Sequence, residues 1–123
     1  MIGEPAAVSE SIVTVTSATF DALVINGDGP IVVEFMSYGC AHCRVLEPVL
    51  RQVAAELANR ERIMRVNVAV ESNLAGVYDI RVTPTLVMFL DGREVGRVAG
   101  PPPRVAGLTA IVTRPFAGAG GAR

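Results

Sequence analysis

Ile31-Val-Val-Glu-Phe-Met-Ser-Tyr-Gly-Cys40-Ala-His-Cys43-Arg-Val-Leu-Glu-Pro48 carries both cysteines of the chain where an apolar strand gives way to an amphipathic helix. Ile31–Phe35 barely alternates and reads as a strand buried on both faces. From Ala41 to about Asn59, residues Leu46, Val49, Leu50, Val53 and Leu57 recur at helical spacing, predicting one long helix. Pro48 lies inside it and removes one backbone bond. Thiols at i and i+3 on a first helical turn are close enough to join without much strain. The helix's free N–H groups and dipole also favour a thiolate there. Two such cysteines make a redox centre.

Upstream of this segment, Ile12–Val15 is β-branched and predicts a short strand. Ser17 is placed to cap a helix from Ala18 to about Ile25, with Phe20, Leu23 and Val24 on one face. Asn26-Gly-Asp-Gly-Pro30 breaks it. Downstream, Arg62–Val68 reads as a strand and Ser72–Tyr78 as a short helix capped by Ser72 or Asn73. Thr85–Leu90 is the next strand, closed by Asp91-Gly92, a strong hairpin signal, and Arg93–Val98 returns beside it. A Pro-rich entry then opens a last helix over Val105–Arg114. Residues 1–10 read as a flexible leader, 11–114 as one domain, and the Gly/Ala-rich 115–123 as a disordered tail. The order β-α-β-α-β-α-β-β-α predicts an α/β domain with a central mixed sheet flanked by helices on both faces.

A chain of 123 residues, half of them apolar, is long enough for one domain with a real core. A net charge of −1 carries no basic footprint, so nucleic acid is not an expected partner. The apolar run Leu86-Val-Met-Phe-Leu90 is far short of the roughly 20 residues that span a bilayer, so no membrane is expected. The segment Met1–Val8 lacks a basic n-region and a continuous apolar h-region. With Met1 as the native start, the expected location is the cytoplasm; a mature secreted form with an added methionine stays open. Two cysteines are too few for a disulfide scaffold, and in a reducing compartment a C-x-x-C pair more often serves redox or metal chemistry.

These residues resemble the thioredoxin family over about positions 12–113. The resemblance rests on Cys40-Ala-His-Cys43 at the strand-to-helix junction, on Pro48, and on Val82-Thr-Pro84-Thr-Leu before the hairpin. Asp91-Gly92 and Gly100 also stand where the family has its turn and a glycine after the last strand. Two departures stand out: Gly39 replaces the family's usual Trp, and Ala41-His42 replaces the usual Gly-Pro between the cysteines. The resemblance implies a thioredoxin-like fold and a thiol–disulfide oxidoreductase acting on protein disulfides, with no cofactor in the domain. It implies a partner dithiol reductase or oxidase upstream, and a monomer is expected.

Within that frame Cys40, at the helix start, is the expected attacking thiol, and Cys43, a turn inside, the resolving one. His42 is the only histidine of the chain. A positive imidazole beside the thiolate would stabilise the reduced pair and make the disulfide a better oxidant. Glu34 is an acid in an apolar strand, costly to bury unless paired or protonated. By resemblance it lies under the redox bond and helps move the proton of Cys43. Arg65 is its candidate cation, and the sign of the resulting pKa shift stays open. Pro84 is cis by resemblance, exposing the Thr83 backbone to an extended substrate. Tyr38, Gly39, Thr83, Pro84 and Gly100 would then form the substrate groove.

Arg44, Arg51 and Arg60 read as the solvated face of the long helix. Two other readings remain. His42 points toward an oxidase or isomerase. Alternatively, Cys40, His42 and Cys43 belong to a non-catalytic binding or metal-holding module, although structural zinc wants four ligands and only three candidates lie together.

Overall fold

The computed structural model describes residues 12–121, so the leader expected over 1–10 lies outside the described residues. Five strands form one mixed sheet: β1 (Val13–Thr14), β2 (Pro30–Met36), β3 (Arg62–Asn67), β4 (Thr85–Leu90) and β5 (Arg93–Ala99), in the order β1-β3-β2-β4-β5. β3 runs parallel to β1 and β2, whereas β4 is antiparallel to β2 and to β5. Among the described residues the α-helices are α1 (Ala41–Leu57), α2 (Ser72–Val77) and α3 (Val105–Gly121).

Apolar residues on both sides of the central strands require cover on both sides, and two cores result. Val32, Ile63, Leu86 and Met88 meet Leu46, Leu50 and Val53 of α1 and Leu108 and Val112 of α3. On the opposite face, Ile31, Val33, Phe35, Val87 and Phe89 pack with Phe20, Val24, Leu74 and Tyr78. The Tyr78 ring meets Phe20 and Phe89 at centroid distances of 5.4 and 5.5 Å. Side chains alternate along a strand. Glu34 therefore shares the α1 face with Val32, and Arg65, its register partner on β3, shares that face with Ile63.

Asp91 and Gly92 both take positive φ, 51° and 84°, as a tight two-residue hairpin turn of right-handed twist requires. A Cβ on Gly92 would fall 2.2 Å from the Ile25 carbonyl oxygen, so glycine is needed for space as well. α1 stops at Leu57 because Ala58 and Asn59 enter the left-handed region, two residues short of the expected end.

Four expectations are corrected. The first helix is a π-helical turn over Asp21–Ile25, in which the Asn26 N–H reaches the Asp21 carbonyl at 2.8 Å. Its approach is closed by Thr19 Oγ1 accepting the Thr16 N–H at 3.0 Å, not by a Ser17 cap. Ser17 instead donates its backbone N–H and its hydroxyl to Glu71 at 2.9 and 2.7 Å. Glu71, not Ser72 or Asn73, occupies the cap position of α2, and its carboxylate serves Ser17. Finally, α3 overruns its expected end at Arg114 and enters the segment read as a disordered tail, with Pro115 inside it. Phe116 is buried there in the α1–α3 core, and Gly96 of β5 lacks the Cβ that would fall 2.9 Å from Pro115 Cγ.

Candidate active site

β2 ends inside the sheet, and Ser37-Tyr38-Gly39 carries the chain to the start of α1. Cys40 occupies the N-cap position with extended φ and ψ of −85° and 121°, the geometry a cap residue needs to leave a side-chain acceptor over the first turn. Its sulfur takes the part usually played by an oxygen: Cys40 Sγ accepts the Cys43 N–H at 3.2 Å. As a thiol it donates to the Thr83 carbonyl at 3.4 Å. Both cysteines are free thiols; Cys40 is partly exposed and Cys43 is buried, 2 % exposed.

The two sulfurs are electrostatically unlike. Partial desolvation alone would raise the Cys40 thiol. Hydrogen bonds from the Cys43 and Thr83 side chains and from the Cys43 and His42 backbone outweigh it and hold Cys40 below the ordinary cysteine value. Burial, followed by the hydrogen bond to Cys40, pushes Cys43 up to about 11. At neutral pH the outer sulfur is the readier nucleophile, and the inner one needs a base.

Thr83, Pro84 and Gly100 come together as a rim near Cys40. Thr83 provides the carbonyl, and the Thr83–Pro84 peptide is cis. The Pro84 carbonyl accepts the Gly100 N–H at 2.8 Å, which ties the residue after β5 to the head of β4. Gly100 has φ 58°, and a Cβ there would meet the His42 ring at 3.5 Å. His42 Nε2–H donates to the Pro101 carbonyl at 3.1 Å, so the ring bridges α1 to the loop after β5. Tyr38 is 60 % exposed beside Gly39 at the other side, its carbonyl held by Arg44 Nη1 at 3.2 Å.

Glu34 stands apart from this rim. It is fully buried, and its Oε1 accepts Arg65 Nε at 3.0 Å while Oε2 has no partner. Burial raises its pKa; Arg65 opposes this by charge and hydrogen bond, and the charge of Glu47 reinforces it. The sign left open by the sequence is therefore upward. Arg65 also grips Glu47 through Nη2, and the second oxygen of Glu47 holds Arg51 Nε at 2.8 Å.

Sequence reasoning missed Glu47 and Pro101, and it read Arg51 as merely solvated. Glu47 did leave a signal, since it stands four residues after Cys43 on the same helix face and four before Arg51. Pro101 left none, because its contact with His42 joins positions distant in the chain.

Comparison with known proteins is consistent with this geometry. A family model described as thioredoxin matches residues 11–113. Thioredoxin C-2 of Corynebacterium nephridii is 36 % identical over 96 residues, covering 78 % of this chain and 89 % of that protein. The thioredoxin of Pseudomonas aeruginosa is 34 % identical over 84 residues, covering 68 % and 78 %. That of Chlamydia pneumoniae is 37 % identical over 86 residues, covering 70 % and 81 %.

Proposed function

The chain belongs to the thioredoxin family and is a thiol–disulfide oxidoreductase for protein disulfides; from that premise we propose that Cys40 attacks and Cys43 resolves. In the reducing direction the Cys40 thiolate attacks one sulfur of a substrate disulfide. A mixed disulfide forms, and the first substrate sulfur leaves as a thiolate. Cys43 then loses its proton and attacks Cys40 Sγ. The Cys40–Cys43 bond closes, the second substrate thiolate departs, and two electrons have passed from the dithiol to the substrate.

The observation that carries this reading is the contrast within one helical turn. Cys40 is reachable and stabilised as an anion, whereas Cys43 is buried and held as a thiol near neutrality. Glu34 is the base in this scheme. Its position on the α1 face, its raised pKa and its unpartnered Oε2 support that role. Tyr38, Gly39, Thr83, Pro84 and Gly100 form the substrate groove, in which backbone groups can pair with an extended segment.

The preferred sense is that of a reductase: a cytoplasmic monomer fed by a partner dithiol reductase, since a reducing compartment keeps such a pair as thiols. Among the described residues no helix is long and apolar enough to cross a membrane. Cys43→Ser is expected to accumulate partners disulfide-bonded to Cys40, released by dithiothreitol; recovery of none counts against the assignment. Reduction of insulin driven by a reductase and NADPH, set against refolding of a scrambled protein, separates reductase from isomerase.

A further inference from the structure

The Nε–H and Nη2–H groups of an arginine form one side-on fork that matches the two oxygens of a single carboxylate. In Arg65 this fork is divided. Nε goes to Glu34 on the neighbouring strand, Nη2 goes to Glu47 on α1, and Glu34 Oε2 is left unpartnered in the interior. A buried acid with a forked cation in reach, yet bound by only one tine, calls for a cause, and Glu47 supplies it. Its two oxygens hold Arg65 and Arg51, and its side chain is 27 % exposed, whereas Glu34 is sealed from water.

Glu47 stands one turn beyond Cys43. Both line a cleft of about 210 Å³ together with Arg65 and Arg51. The other charged group on that cleft is Arg44, with Tyr38 beside it. From the remaining elements packed on this face, β4 opposes Glu34 with Leu86, and α3 brings Leu108, Val112 and Phe116, none of them charged.

We propose that Glu47 is a positioning residue for resolution: by claiming one tine of Arg65 it keeps Glu34 incompletely neutralised and so sets the pH at which Glu34 can take the Cys43 proton. This rests on the reading of Glu34 as the base. The negative charge of Glu47 acts in the same direction as burial on Glu34, which agrees with the divided fork. With Glu47 neutral, Arg65 can close both tines on Glu34, favouring its charged form. The proton ledger of the reaction is unchanged. Cys43 S–H still gives its proton to the Glu34 carboxylate as the Cys40–Cys43 bond forms and the substrate thiolate leaves.

The test is stopped-flow reaction of the reduced full chain with an aromatic disulfide that releases a coloured thiol. The first release reports attack by Cys40, the second resolution by Cys43. The second rate is followed against pH in the native protein, Glu34→Gln and Glu47→Gln, with Glu47→Ala as the alternative should the amide disturb folding. The expected result in the native protein is a rise that levels off once Glu34 is ionised, distinct from the continuous rise that ionisation of Cys43 itself gives. Glu34→Gln removes the levelling rise, and neutralising Glu47 moves it down by about one pH unit, as expected for loss of a neighbouring like charge and gain of a closer cation. A rise removed by Glu34→Gln yet unmoved, or moved upward, in the Glu47 variants overturns the role of Glu47 and leaves Glu34 as base. A native profile without such a rise, or one that persists in Glu34→Gln, overturns both.

Discussion

The rim around Cys40 and the interior behind Cys43 meet at the same helical turn, yet they handle charge by opposite means. At the rim, hydrogen bonds do the work: side-chain bonds from Cys43 and Thr83 and the backbone N–H groups of Cys43 and His42 favour the Cys40 thiolate, while the Pro101 carbonyl holds the His42 ring. Behind Cys43, charged side chains do it, in a series that runs from buried Glu34 and Arg65 outward to partly exposed Glu47 and exposed Arg51. The difference follows from solvent. A partly exposed thiolate needs only a few fixed dipoles, because water screens the rest. A carboxylate sealed in the core has no such help and depends on a nearby cation.

The sharpest way to break this comparison is to remove the interior cation. Arg65→Met leaves Glu34 buried without its partner and is expected to destabilise the fold by about 3 kcal/mol at neutral pH, the range for a broken buried pair. Chemical denaturation measures it, and a loss below 1 kcal/mol would place Glu34 among surface acids. The deficit should shrink in acid. Because Glu34 has a raised native pKa, the folded state binds its proton more tightly than the unfolded state does. Its contribution is therefore most favourable below the ordinary glutamate value of 4.5 and is lost as pH rises through the higher native value. Glu34→Gln should flatten that part of the stability–pH curve in native and Arg65→Met backgrounds alike.

The contrast between the two sulfurs is sharpened by alkylation. With Cys43 near 11 and buried, and Cys40 below the ordinary value, iodoacetamide at neutral pH should label Cys40 at least about a hundredfold faster. Peptide mapping after brief exposure reads this directly, and equal labelling would dissolve the distinction between attacking and resolving thiols. The smallest expected effect belongs to the rim. His42→Pro removes the ring that joins α1 to Pro101. It should lower the reduction potential against glutathione by about 30 mV, equal to about tenfold in the exchange constant. An unchanged potential would confine His42 to holding the loop.

Some of this was legible before any coordinates. The apolar run of Ile31–Phe35, the helical spacing of Leu46, Leu50 and Leu57, and Asp91-Gly92 are local patterns, and each produced the expected element. Ser17 was misread because a hydroxyl before a helical pattern has two uses, and the partner that decided between them, Glu71, lies 54 residues away. The far end of α3 was misread because Pro115 and glycines disfavour a helix locally, while burial of Phe116 and the close approach to Gly96 favour it in the fold.

Alone, the order of residues determined the succession of strands and helices and put two thiols one turn apart, since backbone periodicity and turn chemistry act over a few positions. Tertiary structure decided the sign of the Glu34 shift, the division of Arg65 between two acids and the tether from His42 to Pro101. Those depend on how much water is excluded and on which distant charges then face each other, and both are properties of packing.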